Sequence, residues 1–227
     1  DFNPLKRRYG SDQALSLIRE ARKALEWLGE FVEAQQIDCN YQRCGRFVAA
    51  HSPRQFKKLI AQAEQQTPGL EQTLNIIGPG DQSSEIDSRY YHGGLIVDSH
   101  CSLDPAKYHS ALLQKVQDSG AETIDHCAAM HIEANKTGFR VTTSQGVIQT
   151  NELVIATNGY SGNLAAWQQR RVIPIGSYML ATEAMPIERA EKLMPHNRVF
   201  SDTRKIVVYF RRSPDGRSLI FGGRVSV

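Results

Sequence analysis

Cysteine is scarce in this chain of 227 residues, which carries only Cys39, Cys44, Cys101 and Cys127. No two stand at the Cys-x-x-Cys spacing of a zinc site or dithiol centre. His92, His100 and His109 fall near Cys101, yet no second ligand pair answers Cys39 and Cys44, and no metal site is expected. Reduced thiols and a cytoplasmic setting are the expectation. Long apolar runs are also missing. The longest, around 153–156 and 206–208, fall far short of the ~20 residues of a bilayer-spanning helix, and no charged segment leads into an apolar signal region. Neither sign of charge dominates, the formal net charge being +3. The basic clusters Lys6-Arg7-Arg8, Arg170-Arg171 and Arg211-Arg212 are short and carry no interleaved aromatics. Nucleic-acid binding needs a broader basic face, so nucleic acid is not an expected partner. No Ser-His-Asp or Cys-His constellation and no paired carboxylates stand out, which agrees with chemistry carried by a cofactor.

What is present begins with Glu152-Leu153-Val154-Ile155-Ala156-Thr157-Asn158-Gly159-Tyr160. Three branched apolar residues in a row read as a strand buried on both faces. Its carboxyl end shrinks to small or turn-forming residues, where backbone can approach a ligand closely. In open α/β sheets ligands lie beyond the carboxyl ends of the strands. An ordinary turn after a strand is the competing reading. Asn75-Ile76-Ile77-Gly78-Pro79-Gly80 imitates the opening of a dinucleotide fingerprint. Pro79 interrupts it, no third glycine follows in place, and 81–88 shows no helical stripe, so it reads as a turn.

Along the chain, 11–34 carries a helical stripe of Ala14, Ile18, Ala21, Leu25 and Leu28. A strand is expected over 45–50. Ser52-Pro53 then opens a second helix with Phe56, Leu59, Ile60 and Ala63 inward. A strand near 91–97 precedes a helix capped by Asp104-Pro105, with Tyr108, Ala111, Leu112 and Val116 on its apolar face and Ser119-Gly120 as its stop. Strands are expected over 121–127, then a meander at 130–133, 139–143 and 147–148, then the buried strand at 153–156. That order suits a parallel crossover layer. A long strand, bulged by Pro174 and Gly176, is expected over 171–182 and a short helix over 188–194. Strands at 206–211 and 219–223 flank a Ser213-Pro214-Asp215-Gly216 turn. The chain opens on Asp1 and closes on Ser226-Val227, so it reads as a section of a longer protein.

Several of these segments together resemble one family. Gly120-Ala121-Glu122, Ile132-Glu133, the 152–160 segment, Arg171-Val172-Ile173-Pro174-Ile175-Gly176, Tyr91-His92-Gly93-Gly94, Leu103-Asp104-Pro105 and Leu219-Ile220-Phe221-Gly222-Gly223-Arg224 look like the flavin-dependent D-amino-acid oxidase superfamily, nearest the branch containing γ-glutamylputrescine oxidoreductase. The resemblance runs through most of the chain. It implies an α/β fold with α+β character: a partial FAD-binding layer plus a mostly antiparallel substrate-domain sheet with helices on one face. It divides the chain into a first part of the substrate domain (1–97), a central piece of the FAD-binding domain (98–170) and a second part of the substrate domain (171–227). The family's amino-terminal glycine-rich βαβ unit and its closing flavin-binding segment are absent, so this section alone is expected to lack FAD and activity.

The resemblance also implies roles. Ala129 would meet the adenine. Ala156, Thr157, Asn158 and Gly159 would lie beside the diphosphate and ribose, and Gly222 and Gly223 beside the isoalloxazine ring, where a Cβ would intrude. Tyr209 and Arg224 would face the substrate, the competing readings being an ordinary sheet aromatic and a surface strand charge. The implied reaction is hydride transfer from a C–H next to an amine nitrogen to FAD, with a small amine or amino acid as substrate. A non-catalytic binding domain on the same fold, or an FAD enzyme with a non-amine substrate, are the alternatives. The oligomeric state is not legible.

Overall fold

The computed structural model of the chain describes residues 2–67 and 69–224. Two helices, α1 (Phe2–Tyr9) and α2 (Ser11–Ala34), come first, then β1 (Arg46–Ala49), α3 (Pro53–Glu64), β2 (Leu74–Ile77), β3 (Gly94–Val97) and α4 (Pro105–Asp118). Next come β4 (Ala129–Asn135), β5 (Gly138–Thr143), β6 (Val147–Thr150), the one-turn α5 (Ala166–Gln169), β7 (Ser177–Ala181), α6 (Ile187–Leu193), β8 (Val199–Asp202), β9 (Val208–Arg212) and β10 (Leu219–Arg224). Two compact units result, one of Asp1–Gln114 with Ser177–Val227 and one of Lys115–Gly176. No helix among the described residues is long and apolar enough to cross a membrane.

Local chemistry explains the helix ends. Ser52 Oγ accepts the Gln55 N–H at 3.4 Å, and Pro53 fills the first turn of α3. Asp104 Oδ1 accepts the N–H groups of Ala106 and Lys107 at 3.0 and 3.1 Å, capping α4. Gly120, at φ +86°, ends that helix: Gly120 N donates to Gln117 O and Ala121 N to Val116 O. A side chain rarely adopts that φ, which is why glycine stands there. Tyr108, Ala111 and Leu112 of α4 pack with Val32, Ile37 and Cys39, joining α2 to α4.

The first unit holds a seven-stranded sheet in the order β2-β3-β1-β8-β9-β10-β7. All its ladders are antiparallel except β1 with β8. One core layer lies on each face. On the first, Phe47, Phe200, Phe210 and Phe221 are successive cross-strand neighbours, with ring centroids 5.3, 4.9 and 5.2 Å apart. Ile86, Leu193 and Met194 close over this row. On the second face α3 covers the β2–β3–β1 end, setting Leu59, Phe56 and Ala63 against Leu95, Val48 and Leu74. The loop before β3 is held from inside. Buried Glu85 accepts Arg198 Nε at 3.0 Å, and buried Gln82 accepts the Gly93 N–H at 2.8 Å.

The second unit contains the antiparallel meander β4-β5-β6. Three sequence expectations fail. Residues 153–156 join no strand, and Val154 is 86% exposed. Residues 121–127 form loop and turn, with Ile124 exposed and His126 at φ +52°. The parallel crossover layer does not form, since α4 leads into the antiparallel meander. One reason covers all three. Branched apolar residues favour a pleated surface only where a neighbouring strand offers hydrogen bonds, and the only sheet described in this unit is the meander. The long strand over 171–182 shortens to β7, because Pro174 has no N–H to give and pairing starts only beyond Gly176.

Candidate functional site

Alternation along the strands sorts side chains to the two faces of the sheet. If the phenylalanines at 200, 210 and 221 occupy one face, their neighbours at 199, 201, 209, 211, 220 and 222 occupy the other. The register sets these in two rows. Arg46 opposes Val199 and Arg211 opposes Ile220; one step along, Tyr209 opposes Gly222, which in turn opposes Met179. Helix α3 leaves this part of the face uncovered. A recess of about 390 Å³ opens there, its lining including Arg46, His100, Met179, Tyr209 and Arg211.

Tyr209 and Gly222 meet directly. The Tyr209 hydroxyl lies 2.9 Å from Ser177 Oγ of β7. Its ring crosses the space that a Gly222 side chain would fill, since an added Cβ would stand 2.1 Å from Tyr209 Cε2. The glycine at 222 is thus required by the tyrosine of this same chain. At Gly223 an added Cβ would meet only Val207 O at 3.8 Å, so that position is open. Arg224 closes β10 opposite Ser177, and its side chain lies outside the described residues.

Two bases that the sequence reading did not assign to a site also line the recess. The Nε of Arg46 is buried and has no hydrogen-bond partner, and burial pushes that guanidinium below its ordinary pKa. His100 is likewise held below its usual value, first by burial and second by the charge of Arg46. The neutral imidazole is the outcome. The signal for Arg46 lay in the expected strand 45–50, whose alternation puts it beside Val48. His100 pointed only towards a metal. Among the described residues no group of three or more His, Cys, Asp or Glu gathers to hold one.

The remaining sequence-predicted residues lie in the second unit. Ala129 opens β4, is exposed, and pairs with Thr143. Ala156, Thr157 and Asn158 are exposed, Gly159 is half-buried, and the chain turns through 158–160 as one 3₁₀ turn. Asn158 adopts the left-handed φ of +51°. Thr157 Oγ1 and Ser161 Oγ share a hydrogen bond of 2.8 Å, and Tyr160 N donates to Thr157 O. Tyr160 is 90% exposed and does not plug the tip. A Cβ at Gly159 would touch Pro174 at 3.4 Å.

These features fit FAD in part. The small tip at 156–159 leaves backbone accessible to a nucleoside, and at Gly223 the strand leaves open space where a side chain would stand. A pyrophosphate is ordinarily cradled by free N–H groups at a helix start. Here the first-turn N–H groups of α3 and α4 are already taken by Ser52 and Asp104, so the described residues supply no such cradle at either helix.

Comparison with known proteins agrees. The family model DAO, described as FAD dependent oxidoreductase, matches residues 4–227. The "Probable oxidoreductase OrdL" of Rhizobium meliloti (strain 1021) is 28% identical over 216 residues, which is 95% of this chain and 50% of that protein. The gamma-glutamylputrescine oxidoreductase of Escherichia coli (strain K12) is 26% identical over 226 residues, 99% of this chain and 52% of that one. Among solved structures, glycine oxidase from Bacillus cereus ATCC 14579 superposes with a TM-score of 0.68 at 17% identity, covering 100% of this chain and 60% of the other. The chain spans about half the length of the curated relatives it matches.

Proposed function

The chain belongs to the DAO family of FAD-dependent oxidoreductases, and on that premise we propose that the whole protein oxidises a C–N bond of an amine or amino acid. The observation that carries the reading is the recess on the uncovered sheet face, where the Tyr209 hydroxyl stands over Gly222. FAD, when bound, supplies the acceptor for a hydride from the C–H next to the amine nitrogen, leaving an imine that hydrolyses. This chain's part is to bind and orient. Tyr209, fixed by Ser177, keeps hydrogen-bonding capacity on its hydroxyl to hold the substrate. Gly222 gives the Tyr209 ring room to lie against the sheet, and the backbone at Gly222 and Gly223 is assigned to the isoalloxazine ring. Arg224 grips a substrate carboxylate by parallel hydrogen bonds. Ala129 and the tip Ala156, Thr157, Asn158 and Gly159 are assigned to the adenosine half of the cofactor. The pyrophosphate is assigned to the part of the protein outside this chain.

In the same reading, 1–97 and 171–227 form the substrate domain and 98–170 the central piece of the FAD-binding domain. Most of that piece falls within the compact unit Lys115–Gly176. The four free thiols support a cytoplasmic setting, and the modest net charge gives no reason to add nucleic acid as a partner. The test is to purify the full-length protein, record its visible absorption and screen amines and amino acids for turnover. A bound flavin bleached anaerobically by an amine is the expected result. A full-length protein that takes up no flavin on reconstitution overturns the reading.

A further inference from the structure

We propose that Arg46 and Arg211, with His100 beside Arg46, form an anion subsite in the recess, so that the preferred substrate is an amine bearing an acidic group remote from the reacting C–N bond. The substrate half of this statement rests on the function proposed above; the subsite itself rests on the sheet.

The register places the two arginines. Arg46 of β1 opposes Val199 of β8, and the Phe200–Phe210 pairing sets Val199 opposite Arg211 of β9. The two guanidinium stems therefore rise from one row on one face, two strands and about 10 Å apart, with Val199 between them. Tyr209 stands two residues along β9 from Arg211, about 7 Å away at the backbone. Met179, Val199 and Val207 supply apolar lining between the polar groups. The recess thus has the Tyr209 hydroxyl at one row, two cations at the next, and space for a short aliphatic linker.

Partner accounting sets the two recess arginines apart from others nearby: Arg198 pairs with Glu85 and Arg204 with Asp202, and Arg212, which does not line the recess, bonds Asn197 through Nε and leaves Nη1 unpartnered. The side chains of Arg46 and Arg211 have neither an ion pair nor a hydrogen bond among the described residues, and both line the recess. No Asp or Glu is among its lining residues. A half-buried guanidinium without a counter-charge is costly, and an incoming carboxylate offsets that cost. His100, kept neutral by burial and by Arg46, adds no repulsion between cations and can donate one N–H to the same anion.

The probes are ω-amino acids, namely 4-aminobutanoate, 5-aminopentanoate and 6-aminohexanoate, each against the alkylamine of equal length. Binding to the full-length protein, before and after incubation with FAD, is read by calorimetry, independently of turnover. At least one ω-amino acid should bind about tenfold or more tighter than its alkylamine, the scale of one charge-assisted contact. Arg46→Met and Arg211→Met, each checked for an unchanged circular dichroism spectrum, should remove that preference and leave alkylamine affinity alone. Arg46→Lys should restore part of it. The subsite is overturned if no length shows a preference, or if the preference survives both methionine variants. The two readings separate cleanly. Flavin uptake and amine turnover without the preference sink the subsite alone; the preference without flavin uptake or turnover sinks the oxidoreductase alone.

Discussion

Gly222→Ala tests the geometry of the recess most directly. The new Cβ would lie 2.1 Å from Tyr209 Cε2, 2.4 Å from Cζ and 2.7 Å from the hydroxyl oxygen. Carbon atoms sit comfortably at about 3.5 Å, so the ring must retreat by roughly 1.4 Å. That movement strains or breaks its 2.9 Å bond to Ser177 Oγ. Overpacking costs about 1–3 kcal/mol and a lost hydrogen bond about 1 kcal/mol. Alanine in a strand regains about 0.5–1 kcal/mol over glycine. The net loss should be about 2 kcal/mol. In a Tyr209→Ala background the obstruction is gone, and the same change should be neutral or stabilising by about 0.5 kcal/mol. Urea unfolding of the four proteins of this cycle gives a coupling energy, expected near 2 kcal/mol. Additivity within about 0.5 kcal/mol would refute the argument, because the ring would then not occupy the glycine's space.

Three further outcomes are expected. Arg198→Met strands the buried Glu85 carboxylate, leaving the His196 ring at 3.9 Å beside it; urea unfolding should show a loss of about 3 kcal/mol, and a loss below about 1 kcal/mol would contradict the pairing. His100 is held below its ordinary pKa of 6.5 when folded, so the unfolded chain takes up that proton first. Stability should be full above pH 6.5, fall as the pH drops towards the folded pKa, and fall less steeply in His100→Gln; equal slopes between the two proteins would contradict the burial. Phe210→Ala removes the ring between Phe200 and Phe221 and should cost about 3–5 kcal/mol by denaturant titration, whereas a loss under about 1 kcal/mol would mean that the row is not tightly packed.

The legible parts of the fold were those whose causes are local. Helices α2, α3 and α4 announced themselves through an apolar stripe, Ser52, Asp104 and Gly120, all within a turn or two of the backbone they govern. The meander was readable because Gly138, at φ +147°, sits in the turn it makes. The short α1 escaped notice because Pro4 reads as a breaker, although the first turn of a helix needs no donor from it. Residues 121–127 and 153–156 misled for the opposite reason. Their side chains favour a strand, but a strand exists only with a partner. The site divided in the same way. Tyr209 and Gly222 lie on neighbouring strands of one hairpin, so short-range pattern brings them close. Arg46 joins them only through the parallel pairing of β1 with β8, across about 150 residues of chain, and no local signal carries that.

The four-phenylalanine row bears on how this protein could change over evolution. Because each strand turns successive residues to opposite sides, the rings at 47, 200, 210 and 221 hold the odd and even positions of β1, β8, β9 and β10 in place. Mutation can therefore exchange the groups at 46, 209 and 211 without disturbing the packing behind them. An insertion or deletion of one residue in β9 is different: it would swap Tyr209 with Phe210, exposing the core and emptying the recess of its hydroxyl together. The lining of the recess is thus open to substitution and closed to indels.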